Sequence, residues 1–240
     1  MKNLLIKVIV SLIIIGNAYA NDNNLILVGT TGDYPPLTYQ TESGYQGKDI
    51  RIFAAFAAAN HFKFKLVATT WPSLSQDLIK GKFSVAIGGI SDNKFRRRSF
   101  YLSNAIESSA KVPLIKCAAT NLFSNFAQID QDHVMVVENR GGTNQDFALE
   151  HLKHATIILY AQNDKALASL TQAPIIADVM FTDDTEANYW HQINPQLCVA
   201  AIPEKFTVAH KVFLFAKNAQ GKALNKLFNS WWQINKIYYE

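Results

Sequence analysis

The sequence predicts an α/β protein built as two α/β lobes around a cleft. Three observations predict it. Apolar runs of strand length alternate with runs of helical periodicity between Leu25 and Ile87, and the alternation restarts at Val134. Glycine and unusual polar residues gather in the loops that follow the predicted strands, at 30–36, 69–72, 88–93, 138–144 and 182–186. Alternating strands and helices imply a mostly parallel sheet covered by helices. Such sheets bind ligands beyond the carboxyl ends of their strands.

Leu25 to Gly29 is rich in branched residues and reads as the first strand. It stops at the loop Thr31-Gly32-Asp33-Tyr34-Pro35-Pro36. Residues 49–60 present Ile50, Phe53, Ala54, Ala57 and Ala58 on one helical face, with Asp49 at or near the cap. Residues 62–68 alternate apolar and lysine positions, as a half-exposed strand does. Ser73 to Lys80 is a short helix begun near Pro72 and stopped by Gly81. Phe83 to Ile87 is a buried strand ending in Gly88-Gly89. In the second block, Val134–Val137, Thr156–Tyr160 and Ile175–Phe181 are strands, with helices over 145–153 and 163–171. Residues 207–216 are extended and apolar, and 219–235 form a helix ending in a wet aromatic tail. Crossovers near 117–121 and 200–206 would join the units.

The N-terminus has a different character. Residues 4–16 are apolar apart from Lys7 and Ser11, and Ala18-Tyr19-Ala20 is a small-x-small cleavage site. That is the layout of a signal peptide cleaved after Ala20; its core is shorter than the ~20 residues of a spanning helix. No cysteine stands at the junction, so no lipid anchor is expected. The exported part is then expected in the periplasm. Lys2 and Lys7 leave with the leader, so 21 basic residues face 19 acidic ones and the formal net charge falls from +4 to +2. Arg96-Arg97-Arg98 is too short a stripe to suggest nucleic acid. Cys117 and Cys198 are a candidate disulfide in an oxidising compartment, two buried thiols being the other reading. A bridge would close a loop of about 80 residues and add roughly 3–5 kcal/mol.

Three groups of residues are suited to chemistry. Arg96 follows the loop Gly88-Gly89-Ile90-Ser91, with Ser91 and Asn93 nearby as hydrogen-bond donors; a guanidinium there suits a planar carboxylate. Arg97 and Arg98 read as solvated. Gly141-Gly142-Thr143-Asn144 precedes a helix and exposes amides and a hydroxyl to an anion, or is an ordinary cap. Thr182-Asp183-Asp184-Thr185-Glu186 places acids beyond a buried run. This is either an acid-rich helix start or a functional pair: Asp183 for a ligand ammonium, and Glu186 as a proton donor if desolvation raises its pKa. Asp33, Tyr34 and Trp71 would form a wall of the site. The six histidines lack compact metal-ligand spacing, and no nucleotide or nucleophile motif appears, so neither metal nor cofactor is implied.

Together, Thr30 to Pro36, Gly47-Lys48-Asp49-Ile50, Thr69-Thr70-Trp71-Pro72, Gly88 to Ser91, Gly141 to Asn144 and Thr182-Asp183-x-x-Glu186 resemble the exported two-lobed solute-binding proteins for amino acids. The resemblance is closest to the periplasmic cyclohexadienyl dehydratase branch, which also has its cysteine pair at these positions. It implies a periplasmic-binding-protein-like type II fold with two hinge crossovers. Lobe one would comprise 24–116 and 207–240, and lobe two 120–202. It implies conversion of prephenate to phenylpyruvate and of L-arogenate to phenylalanine, with Arg96 as the carboxylate-binding arginine and Glu186 as the general acid. Two departures stand out: Asn93 where the binding proteins have threonine, and Arg140 where the branch has proline. A competing reading is a non-catalytic receptor that hands an amino acid to the permease of an ABC transporter; an interaction or sensor module is a third. The C-terminal Trp231-Trp232 and Tyr238-Tyr239 leave homo-oligomerisation open.

Overall fold

A computed structural model describes residues 24–174, 176–204, 206 and 208–239. The expected leader at residues 1–20 lies outside them. The chain opens with β1 (Leu25–Thr30), a small three-stranded sheet of β2 (Asp33–Tyr34), β3 (Thr38–Thr41) and β4 (Gly44–Gln46), and α1 (Lys48–Ala59). Then come β5 (Lys63–Ala68), α2 (Trp71–Ile79), β6 (Val85–Ala86), α3 (Lys94–Ser99), β7 (Tyr101–Leu102) and β8 (Glu107–Lys116). The second block holds α4 (Phe126–Ile129), β9 (Met135–Asn139), α5 (Thr143–His151), β10 (Thr156–Tyr160), α6 (Asn163–Thr171), β11 (Val179–Asp183), α7 (Asp184–Ile193) and β12 (Leu197–Val199). Strands β13 (Val208–Lys211) and β14 (Leu214–Phe215) and helix α8 (Ala219–Asn235) close the fold.

The strands form two main sheets, ordered β5-β1-β6-β14-β7 and β10-β9-β11-β8-β12. Each is parallel where β-α-β units build it and antiparallel where later strands return, so both are mixed rather than mostly parallel. Side chains alternate across each sheet. Ile26 and Val28 of β1 pack with Ile52, Phe53 and Phe56 of α1, while Leu27 faces Leu74 and Leu78 of α2. Val179 and Phe181 of β11 face Phe147 of α5, and Met180 faces Ala166 and Leu170 of α6. Burial on both faces explains why these strands read as continuous apolar runs.

Several elements differ from expectation. Helix α2 begins at Trp71, with Thr70 as its cap position, because proline is tolerated in a first turn. The strand expected over Ile175–Phe181 is Val179–Asp183, so Thr182 and Asp183 belong to the sheet and not to a loop beyond it. The long β8 was not foreseen as a strand: Lys111 and Pro113 break its apolar pattern. The aromatic tail is partly dry; Trp232 is buried and donates to Ala105 O at 2.9 Å, whereas Tyr238 is exposed.

The chain passes from the first sheet to the second between β7 and β8, and returns between β12 and β14. Strand β8, expected with the first lobe, hydrogen-bonds within the second sheet to β11 and β12, and only its start, Glu107–Ala110, pairs with β13. Cys117 and Cys198 are bridged. The bridge ties the end of β8 to β12, about 20 Å along the strand from the β13 ladder, so it locks an edge of the second sheet. No helix among the described residues is long and apolar enough to cross a membrane.

Candidate active site

The cleft lies where the strand ends of both sheets converge, and it has a cationic end and an acid end. Asp183, the last residue of β11, is buried at the cationic end. The two strands that pass between the sheets each deliver a lysine to it. Lys111 of β8, its cross-strand neighbour, donates to Oδ1 at 2.9 Å, and Lys211 of β13 donates to Oδ2. Tyr34 donates its hydroxyl to Oδ2 as well. Burial pushes the Asp183 carboxyl upward, but the Lys211 and Lys111 charges outweigh it and hold the group well below the usual carboxylate range.

The lysines extend the polar network. Lys211 also donates to Ser91 Oγ at 2.8 Å, and Lys111 to Asn144 Oδ1. Arg96, buried on α3, donates to Ser91 O. Burial lowers the Arg96 pKa to about 10, so the guanidinium stays charged at neutral pH. Two buried cations, Arg96 and Lys211, and the half-buried Lys111 thus face one ionised aspartate. Asp49 underpins this end from α1: its Oδ2 accepts from the amides of Gly88 (3.1 Å) and Gly89 (3.0 Å), fixing the loop that leads to Ser91. Gly89 has φ 70°, and a Cβ there would sit 2.4 Å from the Tyr34 ring, so only glycine lets loop and ring meet.

Glu186 marks the acid end, one turn beyond Asp183 on α7. It is fully buried and, among the described residues, has no lysine or arginine within bonding distance. Its Oε1 accepts from Asn163 Nδ2 at 2.5 Å and from Trp190 Nε1 at 3.3 Å, and its Oε2 is bonded to Thr182 Oγ1. Burial raises its pKa from the ordinary value to about 7, beyond what the bonds from Thr182, Trp190 and Asn163 offset. Near neutrality Glu186 is a half-protonated acid, the state suited to proton transfer.

The lobes meet across the cleft. Asp33 accepts from Trp71 Nε1 at 3.0 Å and from the Asn163 amide at 3.0 Å, so it ties the first lobe to the start of α6. Gly141, at φ 81°, lies against the backbone of the other lobe; a Cβ would come within 2.6 Å of Pro72 Cα. Its amide donates to Gln145 Oε1 and is therefore not free for an anion. Inside, the space bounded by Trp71, Ser91, Arg96, Asn139 and Thr143 is about 10 Å³, room for about one water. A cavity of about 390 Å³ lies at the mouth, lined by Asp33, Tyr39, Thr70, Tyr189 and Trp190 among others. Admission of a six-membered ring to the inner space requires the lobes to separate.

Residues 26–233 match the family of bacterial extracellular solute-binding proteins, family 3. The chain belongs to that family. It is 33% identical over 214 residues to a cyclohexadienyl dehydratase of Pseudomonas aeruginosa, covering 89% of this chain and 78% of the relative. Among solved structures, it is similar to an ancestral amino acid-binding protein described as a precursor of cyclohexadienyl dehydratase, with TM-score 0.81, 25% identity, and 90% and 91% of the two chains covered. An arginine-bound substrate-binding protein of Streptococcus pneumoniae shares the fold at TM-score 0.81 and 18% identity, with the same coverage.

Within this family-3 frame, the fold brings Arg96, Ser91, Thr143, Asn144, Asp183, Trp71 and Tyr34 to one inner space; Glu186 does not line it and lies one turn beyond Asp183, bonded to Thr182. Asn93 is not aimed there: it caps α3, its Oδ1 accepting the Arg96 amide at 2.8 Å. Asp183 is saturated by two lysines and a tyrosine, and so differs from the open ammonium acceptor the sequence suggested. Arg97 is exposed and paired with Asp92. Sequence reasoning missed Lys111, Lys211, Asn139 and Asn163. For Lys211 a signal existed, since a lysine interrupts the extended apolar run 207–216. For Asn163 there was none; an asparagine at a helix start is commonplace.

Proposed function

We propose that this protein is a cyclohexadienyl dehydratase, converting prephenate to phenylpyruvate with loss of water and carbon dioxide. L-Arogenate would be a second substrate, giving L-phenylalanine. The observation that carries the reading is Glu186: a fully buried carboxyl raised to about 7, one turn from Asp183 and its cluster of cations, of which Arg96 and Lys211 are buried. The 33% identity to the Pseudomonas enzyme supports it.

Prephenate carries two carboxylates and a ring hydroxyl. In this reading Arg96, Lys111 and Lys211, with Ser91, Thr143 and Asn144, hold the carboxylates. Trp71 and Tyr34 wall the ring, and lobe closure excludes water. Glu186 protonates the leaving hydroxyl; decarboxylation supplies the electrons that make the ring aromatic. One placed acid of this kind is worth roughly 10²–10⁴-fold. An amino-acid receptor is the second reading, favoured by the likeness to the ancestral binding protein. It needs an open anion for the ammonium, and Asp183 is occupied. The same occupancy favours the prephenate dianion over arogenate.

We also assign the stretch from Leu25 to β7, with β14 and α8, to lobe one, and most of β8 through β12 to lobe two, with an exported protein cleaved after Ala20 acting in the periplasm. The test is to incubate purified protein with prephenate and follow phenylpyruvate, with Glu186→Gln in parallel. Turnover by the unmutated protein alone is expected. Tight binding of an amino acid without any turnover would replace the enzyme by the receptor.

A further inference from the structure

We infer that Asn163 is a second catalytic residue: its Oδ1 accepts the hydrogen of the leaving hydroxyl, while its Nδ2 holds Glu186 to the opposite lobe. This rests on the dehydratase reading above.

Asn163 is the first residue of α6 and is fully buried. Its Nδ2 donates to Asp33 O at 3.1 Å and to Glu186 Oε1 at 2.5 Å. A backbone carbonyl only accepts, so the bond to Asp33 fixes which end of the amide is nitrogen. The other end, Oδ1, is then left over, buried and without a partner among the described residues. Buried acceptors are rarely left so, because the lost hydration is not replaced. Thr31 Oγ1, Asp49 Oδ1, Glu138 Oε2 and Glu204 Oε2 are also orphaned, but only Asn163 is bonded to Glu186. A ligand that placed a hydroxyl beside Glu186 would supply the missing donor.

The substrate has one such group. The carboxylates and the ketone of prephenate only accept; the ring hydroxyl alone donates. Seated between the two side chains, its hydrogen points to Asn163 Oδ1 and a lone pair faces Glu186. The proton then moves from Glu186 to the hydroxyl oxygen. The C–O bond breaks with its electron pair, and water leaves. The bond from the ring to its carboxylate breaks next, its pair entering the ring as carbon dioxide departs. Glu186 ends as a carboxylate, which the Asn163 Nδ2 bond stabilises more strongly than the neutral acid. That gain is realised as charge develops, which is what accelerates a step.

Lobe closure enters through Asp33. Its carbonyl and its Oδ2 both lie on the first lobe, and both bind Asn163 of the second. Oδ2 accepts from the Asn163 backbone N–H and the carbonyl accepts from Nδ2, so both bonds depend on the lobes being together, and closure and acid placement are linked.

The test compares the unmutated protein with Asn163→Ala and the isosteric Asn163→Asp. The readouts are the pH dependence of kcat on prephenate, and phenylpyruvate affinity by calorimetry. Phenylpyruvate lacks the hydroxyl. Asn163→Ala should lower kcat roughly 10- to 100-fold. Without the Nδ2 donor the alkaline limb of the profile should move to higher pH, and phenylpyruvate affinity should stay within about twofold. Asn163→Asp, which preserves the shape should the alanine variant fail to fold, should move the limb the same way by adding a like charge. An unmoved limb, or a phenylpyruvate affinity that falls as far as kcat/KM for prephenate, overturns the assignment while leaving the enzyme intact. An unmutated protein that leaves prephenate unchanged overturns the enzyme, and the assignment with it.

Discussion

Two carboxylates three residues apart, Asp183 and Glu186, are driven in opposite directions. Both are buried, so desolvation pushes both pKa values upward. Asp183 ends β11, within reach of the two strands that pass between the lobes, and it receives Lys111 and Lys211. Glu186 has turned away on α7, where it meets an amide, an indole and a hydroxyl but, among the described residues, no cation. One is therefore a fixed anion at neutral pH and the other a titrating acid. Neighbouring groups whose environments separate their pKa values divide the roles of anchor and proton donor. The comparison teaches that burial alone does not make an acid; the absence of a compensating charge does.

The largest effect is expected where the acid is removed. Glu186→Gln keeps the shape and the amide contacts but cannot donate a proton in the same way, and kcat on prephenate should fall by roughly 10²–10⁴-fold with KM little changed. A steady-state assay reads this directly, and a comparable loss in Asp183→Asn would erase the distinction between the two carboxylates.

Lys211→Met attacks the other side. It removes one of two cations on Asp183 and leaves that aspartate partly free. Prephenate kcat/KM should fall by about 10²-fold. Arogenate, whose ammonium gains an acceptor, should lose less. Paired kinetics on the two substrates decide whether the lysines set this preference.

Gly141→Ala tests whether both ends need full closure. The added Cβ meets the Pro72 backbone at 2.6 Å, and φ is 81°, so the lobes should stop short. A loss of roughly tenfold in kcat/KM is expected, with a more open form in solution scattering on ligand addition.

The last effect is on stability and not on turnover. Glu186 has a folded pKa of about 7, above its ordinary 4.5. Between those values the folded state holds a proton that the unfolded state has lost. Its contribution therefore falls as pH rises through that window, and the charge must be carried unpaired above it. Asp183 is depressed and acts the other way: its contribution is present above the unfolded value and is lost only in strong acid. Glu186→Gln should therefore gain stability relative to the unmutated protein on going from pH 5 to pH 8, by on the order of 2 kcal/mol. Urea titrations at the two pH values measure it, and equal differences at both would show that Glu186 is not titrating.

Much of the fold was legible in the chain. The helix at 163–171, the strand at 156–160 and the long helix at 219–235 stand where the periodicity places them, because local patterning and burial agree there. Arg96, Ser91, Thr143, Asp183 and Glu186 were legible as candidates because they follow buried strands. Lys111 and Asn163 were not. Lys111 sits in β8, whose mixed pattern suits a strand paired with β11, β12 and β13 in turn, and Asn163 owes its meaning to Asp33, 130 residues away.

What the sequence by itself determined is the alternation of strands and helices, the kinds of groups at the strand ends and the one cysteine pair. Periodicity and side-chain chemistry are local properties, so they survive reading in one dimension. Which aspartate is clamped, which glutamate is left unpaired and which amide joins the lobes were decided only by the tertiary structure. Charge state depends on what approaches through space, and here the two crossing strands and the opposite lobe supply it.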